Sequence, residues 1–179
     1  MVTKGKDINS AYKRIMIFGR PGSGKSTFAY KLHLLTGIPV YHLDKYFFKD
    51  NWQKRDPEHF LSIQHSLVNE PSWIIDGMSY SLEMRYQKAD LVLYFNYPRI
   101  TCYYRVFKRL FNKNPLIDDR APNCKEKVKF DFLKYMWNFE KRIEKQVNPL
   151  RAQYPSTRFE EIRNDSHLKI IENELMEDI

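Results

Sequence analysis

The patterned part of the chain begins with a short apolar run, Ile15-Met16-Ile17-Phe18, that stops at Gly19. A helical spacing of apolar positions then runs from Lys25 to Leu35, and Gly37 and Pro39 end it. Val40-Tyr41-His42-Leu43 is rich in strand formers and closes on Asp44. Asp56-Pro57-Glu58 places a capping Asp before a Pro at the first helical position, where a missing N–H costs nothing. Phe60, Ile63 and Leu67 give that helix one apolar face, and it is predicted to end near Asn69 to Pro71. Trp73-Ile74-Ile75 and Leu91-Val92-Leu93-Tyr94-Phe95 are continuous apolar runs, the pattern of strands buried on both faces. Pro98 opens a helix through about Phe111. A long helix is predicted from about Lys125 to Val147, with Val128, Phe132, Met136, Phe139 and Ile143 as its buried stripe. Arg158 to Ile162 reads as a last edge strand, and Ser166 as the cap of a final helix that turns Leu168, Ile171 and Leu175 inward.

Strands that are apolar throughout and alternate with helices predict an α/β fold, with a parallel sheet covered by helices on both faces. Two polar segments, Lys45 to Arg55 and Asn112 to Asn123, are too long for simple turns and are the places where binding residues or a lid are expected. With 179 residues, 42% of them hydrophobic, the chain reads as one domain over 1–179. No stretch approaches the roughly 20 apolar residues of a membrane span, and Met1 to Lys13 is polar and lacks a secretory apolar segment, so a cytoplasmic protein is expected. Cys102 and Cys124 are far apart and form no metal or disulfide framework; they read as ordinary thiols of a reducing compartment.

The candidate chemistry lies at the first strand-to-helix junction. Gly19-Arg20-Pro21-Gly22-Ser23-Gly24-Lys25-Ser26 fits G-x-x-x-x-G-K-[ST] and sits after a strand and at the start of a helix. Glycines let the backbone wrap closely round a phosphate with its N–H groups turned inward, at a helix N-terminus whose dipole already favours an anion. The binding set expected here is Gly19, Pro21, Gly22, Ser23, Gly24, Lys25, Ser26 and Thr27. Lys25 should reach the β and γ phosphates of ATP, and Ser26 should offer its hydroxyl to Mg2+. A glycine-rich turn with a chance lysine is the bland alternative; all four defining residues and the strand-loop-helix context count against it.

The match extends beyond the loop. Gly19 to Thr27, His42-Leu43-Asp44, Asn51 to Arg55, Trp73-Ile74-Ile75-Asp76-Gly77, Phe95 to Arg109 and Phe132 to Trp137 together resemble the P-loop nucleoside and nucleotide kinases. Within them the chain is most similar to the adenylate-kinase-related DNA topology modulation, or FlaR-like, proteins. That resemblance implies a three-layer P-loop NTPase fold of nucleoside-phosphate-kinase type, with a sheet of about five strands. It also implies Asp76 as a support of Mg2+ through water, because adenylate kinases carry Asp-Gly at that place. Their following Phe-Pro-Arg is replaced here by Met78-Ser79-Tyr80, which counts against AMP as the acceptor. Uridine-kinase-like enzymes carry a segment similar to Asp44-Lys45-Tyr46-Phe47, in which the Asp accepts the proton of the acceptor hydroxyl; a solvated turn Asp is the alternative. Arg105, Arg109 and Arg120 resemble lid arginines, in a candidate lid region of about 99–124. Arg105 and Arg109 stand four apart and could share one helix face; a solvated basic helix is the alternative.

Charge keeps a rival reading open. The net charge is +8, and residues 99 to 151 hold 14 Lys and Arg against 6 Asp and Glu, the most basic part of the chain. Such a field attracts phosphate of any kind. The main expectation is transfer of the γ-phosphoryl group of Mg-ATP to a small acceptor such as a nucleoside or nucleotide. The alternative is a nucleic-acid-associated protein affecting DNA topology, with ATP as regulatory ligand. No helix-turn-helix, zinc finger or RNP motif supports the alternative. Oligomeric state and the acceptor are not legible. If the basic segment serves nucleotide phosphates alone, binding to duplex DNA should be weak and fade toward physiological salt, as counterion release requires. Sequence-selective binding that resists salt, measured by fluorescence anisotropy against salt concentration, would favour the DNA reading.

Overall fold

The computed structural model describes residues 11–111, 117–124 and 128–177. The N-terminal residues 1–10, the middle of the second polar segment (112–116) and the expected start of the long helix (125–127) lie outside the described residues. The strands are β1 (Arg14–Gly19), β2 (Val40–His42), β3 (Trp73–Asp76), β4 (Leu91–Phe95) and β5 (Arg158–Ile162). The helices are α1 (Lys25–Thr36), α2 (Leu43–Phe47), α3 (Pro57–Val68), α4 (Leu82–Tyr86), α5 (Arg99–Arg109), α6 (Phe130–Trp137), α7 (Phe139–Gln153) and α8 (Asp165–Glu177).

All four strand pairings are parallel, and the sheet runs β2-β3-β1-β4-β5. Successive side chains of a strand go to opposite faces, so each apolar run feeds two cores at once. Ile15, Ile17, Ile74, Leu91, Leu93 and Phe95 pack under α1, α5 and α8, with Phe28, Leu32, Cys102, Val106 and Ile171. Met16, Phe18, Trp73, Ile75, Val92 and Tyr94 pack under α3, α4 and α7, with Phe60, Leu82, Tyr86, Ile143 and Val147. This is the expected parallel sheet with helices on both faces. Register then aligns the functional ends: His42 stands beside Asp76 and Ile17 beside Asp76, while Gly19 stands beside Phe95.

The local differences from the sequence-based expectations have physical reasons. The second strand stops at His42, and Asp44 lies in the first turn of α2 rather than at a strand end. The segment after it is ordered by an antiparallel bridge between Phe48 and Lys54 and a single 3-10 turn, Asp50–Trp52. The predicted helix through Val147 is two helices, broken at Asn138, where the Met136 carbonyl is taken by the Arg20 side chain at 3.1 Å. α7 then continues past Val147 through Pro149 to Gln153. The final helix is capped by Asn164, not Ser166: the Asn164 Oδ1 accepts from the His167 N–H at 2.8 Å, and Ser166 is already helical. Asn164→Ala should therefore cost about 1 kcal/mol of stability, and Ser166→Ala should change it by less than about 0.5 kcal/mol, as read by urea denaturation.

Candidate phosphate-binding and acceptor site

The loop between β1 and α1 is held by close backbone packing. A Cβ built on Gly19 would stand 2.4 Å from the Phe95 carbonyl oxygen, and one on Gly22 would stand 2.4 Å from the Cys102 carbonyl oxygen. Gly22 and Gly24 also have φ of 81° and 95°, in the left-handed region where only glycine is unstrained. Ser23 is buried, Pro21 half-buried and Thr27 exposed. The Lys25 ammonium reaches back to the Arg20 carbonyl at 3.3 Å.

Arg20, a variable position of the motif, carries much of this arrangement. Its side chain is 1% exposed and donates to the Tyr97 carbonyl at 2.6 Å, the Met136 carbonyl at 3.1 Å and Glu140 at 3.3 Å. A planar fork of donors suits this three-way division, which a lysine could not reproduce. The loop is thereby tied to the turn after β4 and to the junction of α6 and α7.

Beside the loop, β3 ends in Asp76, which is 2% exposed. Burial alone would raise its pKa, but a hydrogen bond from His42 Nδ1 to Oδ2 at 2.9 Å, with Lys25 and Ser26 adding, holds it below the ordinary carboxylate range. His42 moves the opposite way: burial pushes its pKa down, and the Asp76 hydrogen bond and the charges of Asp76, Asp119 and Asp44 raise it further than burial lowers it. The other carboxylate oxygen of Asp76, Oδ1, is buried with no hydrogen-bond partner among the described residues. A negative buried oxygen beside the motif's Lys25 and Ser26 fits a hydrated Mg2+, an ion that keeps several waters and takes one or two protein ligands. Among the described residues no group of three or more His, Cys, Asp and Glu could form a metal cage on its own.

Asp44 occupies the other side of Gly77: a Cβ built there would lie 3.7 Å from Asp44 Oδ1. Its pKa is pushed up to about 6, first by burial and then by Asp76 and Asp119, against the downward pull of Lys25 and Arg109. The predicted arginines separate. Arg109, the last residue of α5, acts on the Asp44 side of the site. Arg120, 8% exposed, lies near Asp119 (3.7 Å) and 5.9 Å from the centre of the Trp52 ring. Arg105 instead braces the phosphate loop, donating to the Ser23 carbonyl at 3.3 Å and to both oxygens of Asp165 at 2.8 Å. The segment 117–124 also meets the segment after Asp44: Lys45 pairs with Asp118 at 2.5 Å, and the Trp52 N–H donates to Cys124 Sγ at 3.2 Å.

Three side chains that sequence reasoning did not single out for the site matter here: Arg20, His42 and Arg85. Arg85 is wholly buried and donates to the carbonyls of Gly77 (2.8 Å), Met78 (2.8 Å) and Tyr80 (3.3 Å), pinning the turn after Asp76, where Met78 and Ser81 have positive φ. Burial lowers its pKa to about 9, with Asp76 opposing. The available signal was weak: a histidine inside an apolar strand, and an arginine between Met84 and Tyr86.

No protein-family model matches the chain, and no curated protein sequence matches it significantly. Solved structures do. A shikimate kinase from Acinetobacter baumannii, in complex with shikimate, has a TM-score of 0.56 at 15% identity, covering 94% of this chain and 96% of that one. A shikimate kinase from Bacteroides thetaiotaomicron has a TM-score of 0.53 at 14% identity, covering 93% and 98%. An uncharacterized protein from Eubacterium ventriosum has a TM-score of 0.50 at 16% identity, covering 90% and 96%. At these identities the likeness is one of fold, and the fold is that of the P-loop kinases.

The raised Asp44 pKa carries a stability prediction. Because the folded state holds this proton more tightly than the unfolded state, the group's stabilising contribution is complete below about pH 4 and is lost as pH rises through about 6. Asp44→Asn should then be more stable than wild type at pH 8 by about 1–3 kcal/mol, with the gain gone by about pH 4. Denaturant titrations of both proteins without nucleotide, repeated across pH, measure the difference.

Proposed function

We propose that this chain is an ATP-dependent small-molecule phosphotransferase, a single domain over 1–179 with 99–124 as its lid region. The observation that carries the reading is the meeting of Lys25, Asp76 and Asp44 at the carboxyl ends of adjacent parallel strands, where ligands of open α/β sheets bind. Gly19 to Thr27 cradle the triphosphate, with Lys25 on its β and γ phosphates. Ser26 and, through water, Asp76 hold Mg2+, which when bound neutralises charge on the transferring group. His42 fixes the orientation of the Asp76 carboxylate, and Arg85 fixes the turn that follows it.

Asp44 is the base. It takes the proton from the acceptor hydroxyl as that oxygen bonds to the γ-phosphorus and the bond to the β–γ bridging oxygen breaks, leaving ADP. With its pKa raised to about 6, Asp44 is still ionised at neutral pH and accepts a proton more readily than an ordinary carboxylate. Arg109, which acts on Asp44, and Arg120, beside Asp119, are the candidates to meet the charge of the phosphoryl group, while Arg105 braces the loop at Ser23. The kinship with FlaR-like proteins rests on the quoted sequence segments. The DNA reading rests on the resemblance to DNA topology modulation proteins and on the basic segment, and several of the arginines behind that charge are engaged within the fold: Arg99 with Glu140, Arg105 with Asp165 and Arg151 over Phe159.

The experiment is a panel of nucleosides, nucleoside monophosphates and other small hydroxyl compounds incubated with Mg-ATP and read by mass for a gain of one phosphoryl group. Mg-ATP at about 100 times its dissociation constant should stabilise the fold by about 2.7 kcal/mol, and Lys25→Ala should remove most of this. On the identified acceptor, Asp44→Asn should lower turnover about 100- to 10,000-fold with Mg-ATP binding kept. Asp76→Asn should instead weaken the Mg2+ dependence of ATP binding. A melting temperature indifferent to millimolar Mg-ATP, or full turnover by Asp44→Asn, would overturn the corresponding assignment.

A further inference from the structure

One surface of the molecule is apolar without being buried. Ile100, Tyr104, Phe107 and Phe111 follow the spacing i, i+4, i+7, i+11, so they share one face of α5 and of the turn just past its end. All four are exposed, Ile100 to 83% and Phe111 to 86%. A different face of the helix packs inward, where Cys102 and Val106 are buried against Gly22 of the phosphate loop.

α6 continues this surface. The Tyr103 hydroxyl donates to the Leu133 carbonyl at 2.7 Å, and the Arg99 guanidinium lies 4.7 Å from the centre of the Trp137 ring. Matching 99 with 137 and 103 with 133 sets the two helices antiparallel, which carries Phe130 toward the level of Phe107. Phe130 is 79% exposed, and Trp137 is exposed as well. Single apolar residues on a surface need no partner, but six from two adjoining helices form a patch that marks an interaction site.

Charge narrows the partner. Lys108, Lys129 and Lys134 are exposed on or beside these helices, and Asp131 is the one carboxylate that either helix carries. A second copy of the chain would bring these lysines against their counterparts. A nucleic acid would meet the lysines and leave the apolar row in water. A bilayer holding anionic lipid satisfies both, with charge in its headgroups and acyl chains beneath. Tyr104 and Trp137, each an apolar ring with one polar atom, are the residue types favoured at headgroup level, and lysine stems lie along apolar surface while their ammoniums reach outward.

We propose that the paired face of α5 and α6 docks on an anionic lipid bilayer, with Ile100, Phe107, Phe111 and Phe130 entering the boundary between headgroups and acyl chains and Lys108, Lys129 and Lys134 meeting the lipid charge. The phosphate loop, against a different face of α5, lies outside this contact.

The test is co-sedimentation of the full chain with vesicles of phosphatidylcholine, alone or with about 30 mol% phosphatidylserine. Binding to the anionic vesicles should exceed binding to the neutral ones at least about tenfold at low salt and fall as salt rises. Ile100→Ser combined with Phe111→Ser removes apolar area at two positions too exposed to support the core, and should weaken binding at least about tenfold. Lys108→Glu combined with Lys134→Glu should weaken it by a similar factor. Leu34→Ser, at an exposed apolar position on α1, and Lys25→Ala should leave it unchanged. No binding to the anionic vesicles, equal binding to the neutral ones, or undiminished binding by the folded Ile100→Ser/Phe111→Ser variant would each overturn the proposal. So would a dimer in sedimentation velocity that this variant dissociates, which would give the face to a second copy, or binding of an acidic amphipathic peptide where vesicles fail, which would give it to a protein.

Discussion

The buried carboxylate of Asp76 is the constraint on which the site depends. A charge taken out of water costs several kcal/mol unless it is matched, and here it is matched from three directions. His42 supplies the hydrogen bond from the neighbouring strand, a pairing that the β2–β3 register delivers directly. Lys25 and Ser26 come from the phosphate loop, and both favour the charged form. Arg85 reaches the carbonyls just beyond it, so the turn that presents the carboxylate is itself held. Asp44 feels the same charge as repulsion, which contributes to its raised pKa. The two carboxylates thus have opposite protonation tendencies, Asp76 toward the charged form and Asp44 toward the protonated one, an arrangement suited to one carboxylate holding a cation and another taking a proton.

The phosphate loop has a second dependence, on backbone rather than charge. Gly19 and Gly22 leave no room for a side chain against Phe95 and Cys102, so the loop touches β4 and α5 main chain to main chain. Arg20 completes the attachment from within by satisfying carbonyls that helix and turn geometry leave open at Tyr97 and Met136. The motif's glycines and its least specified residue serve the same end.

Much of this was legible in the sequence, because the physics involved is local or periodic. The strands announce themselves as runs such as Leu91 to Phe95, since both faces are buried, and the phosphate loop does so because its glycines fall at fixed spacing between a strand and a helix. Boundaries that depend on a distant partner were not legible. At the break at Asn138 the Met136 carbonyl is taken by a side chain over a hundred residues away, and Asn164 rather than Ser166 is the cap because its Oδ1 accepts the His167 N–H. α2 and α4 are five-residue helices too short for a periodic signal. The site shows the same division. Lys25, Asp44 and Asp76 end up near one another, whereas Arg105 and Arg109, four apart on one helix, serve different neighbours. The roles of Arg20, His42 and Arg85 exist only as hydrogen bonds to groups that no sequence spacing names.

The contact between Gly22 and the Cys102 carbonyl also limits how the molecule can move. The first two turns of α5 cannot swing without prying the phosphate loop open, since Val106 packs on the same glycine. Any closure over a bound triphosphate must therefore hinge beyond Val106. The start of α5 is thus a fixed shoulder carrying Arg105, bolted to the loop and to Asp165.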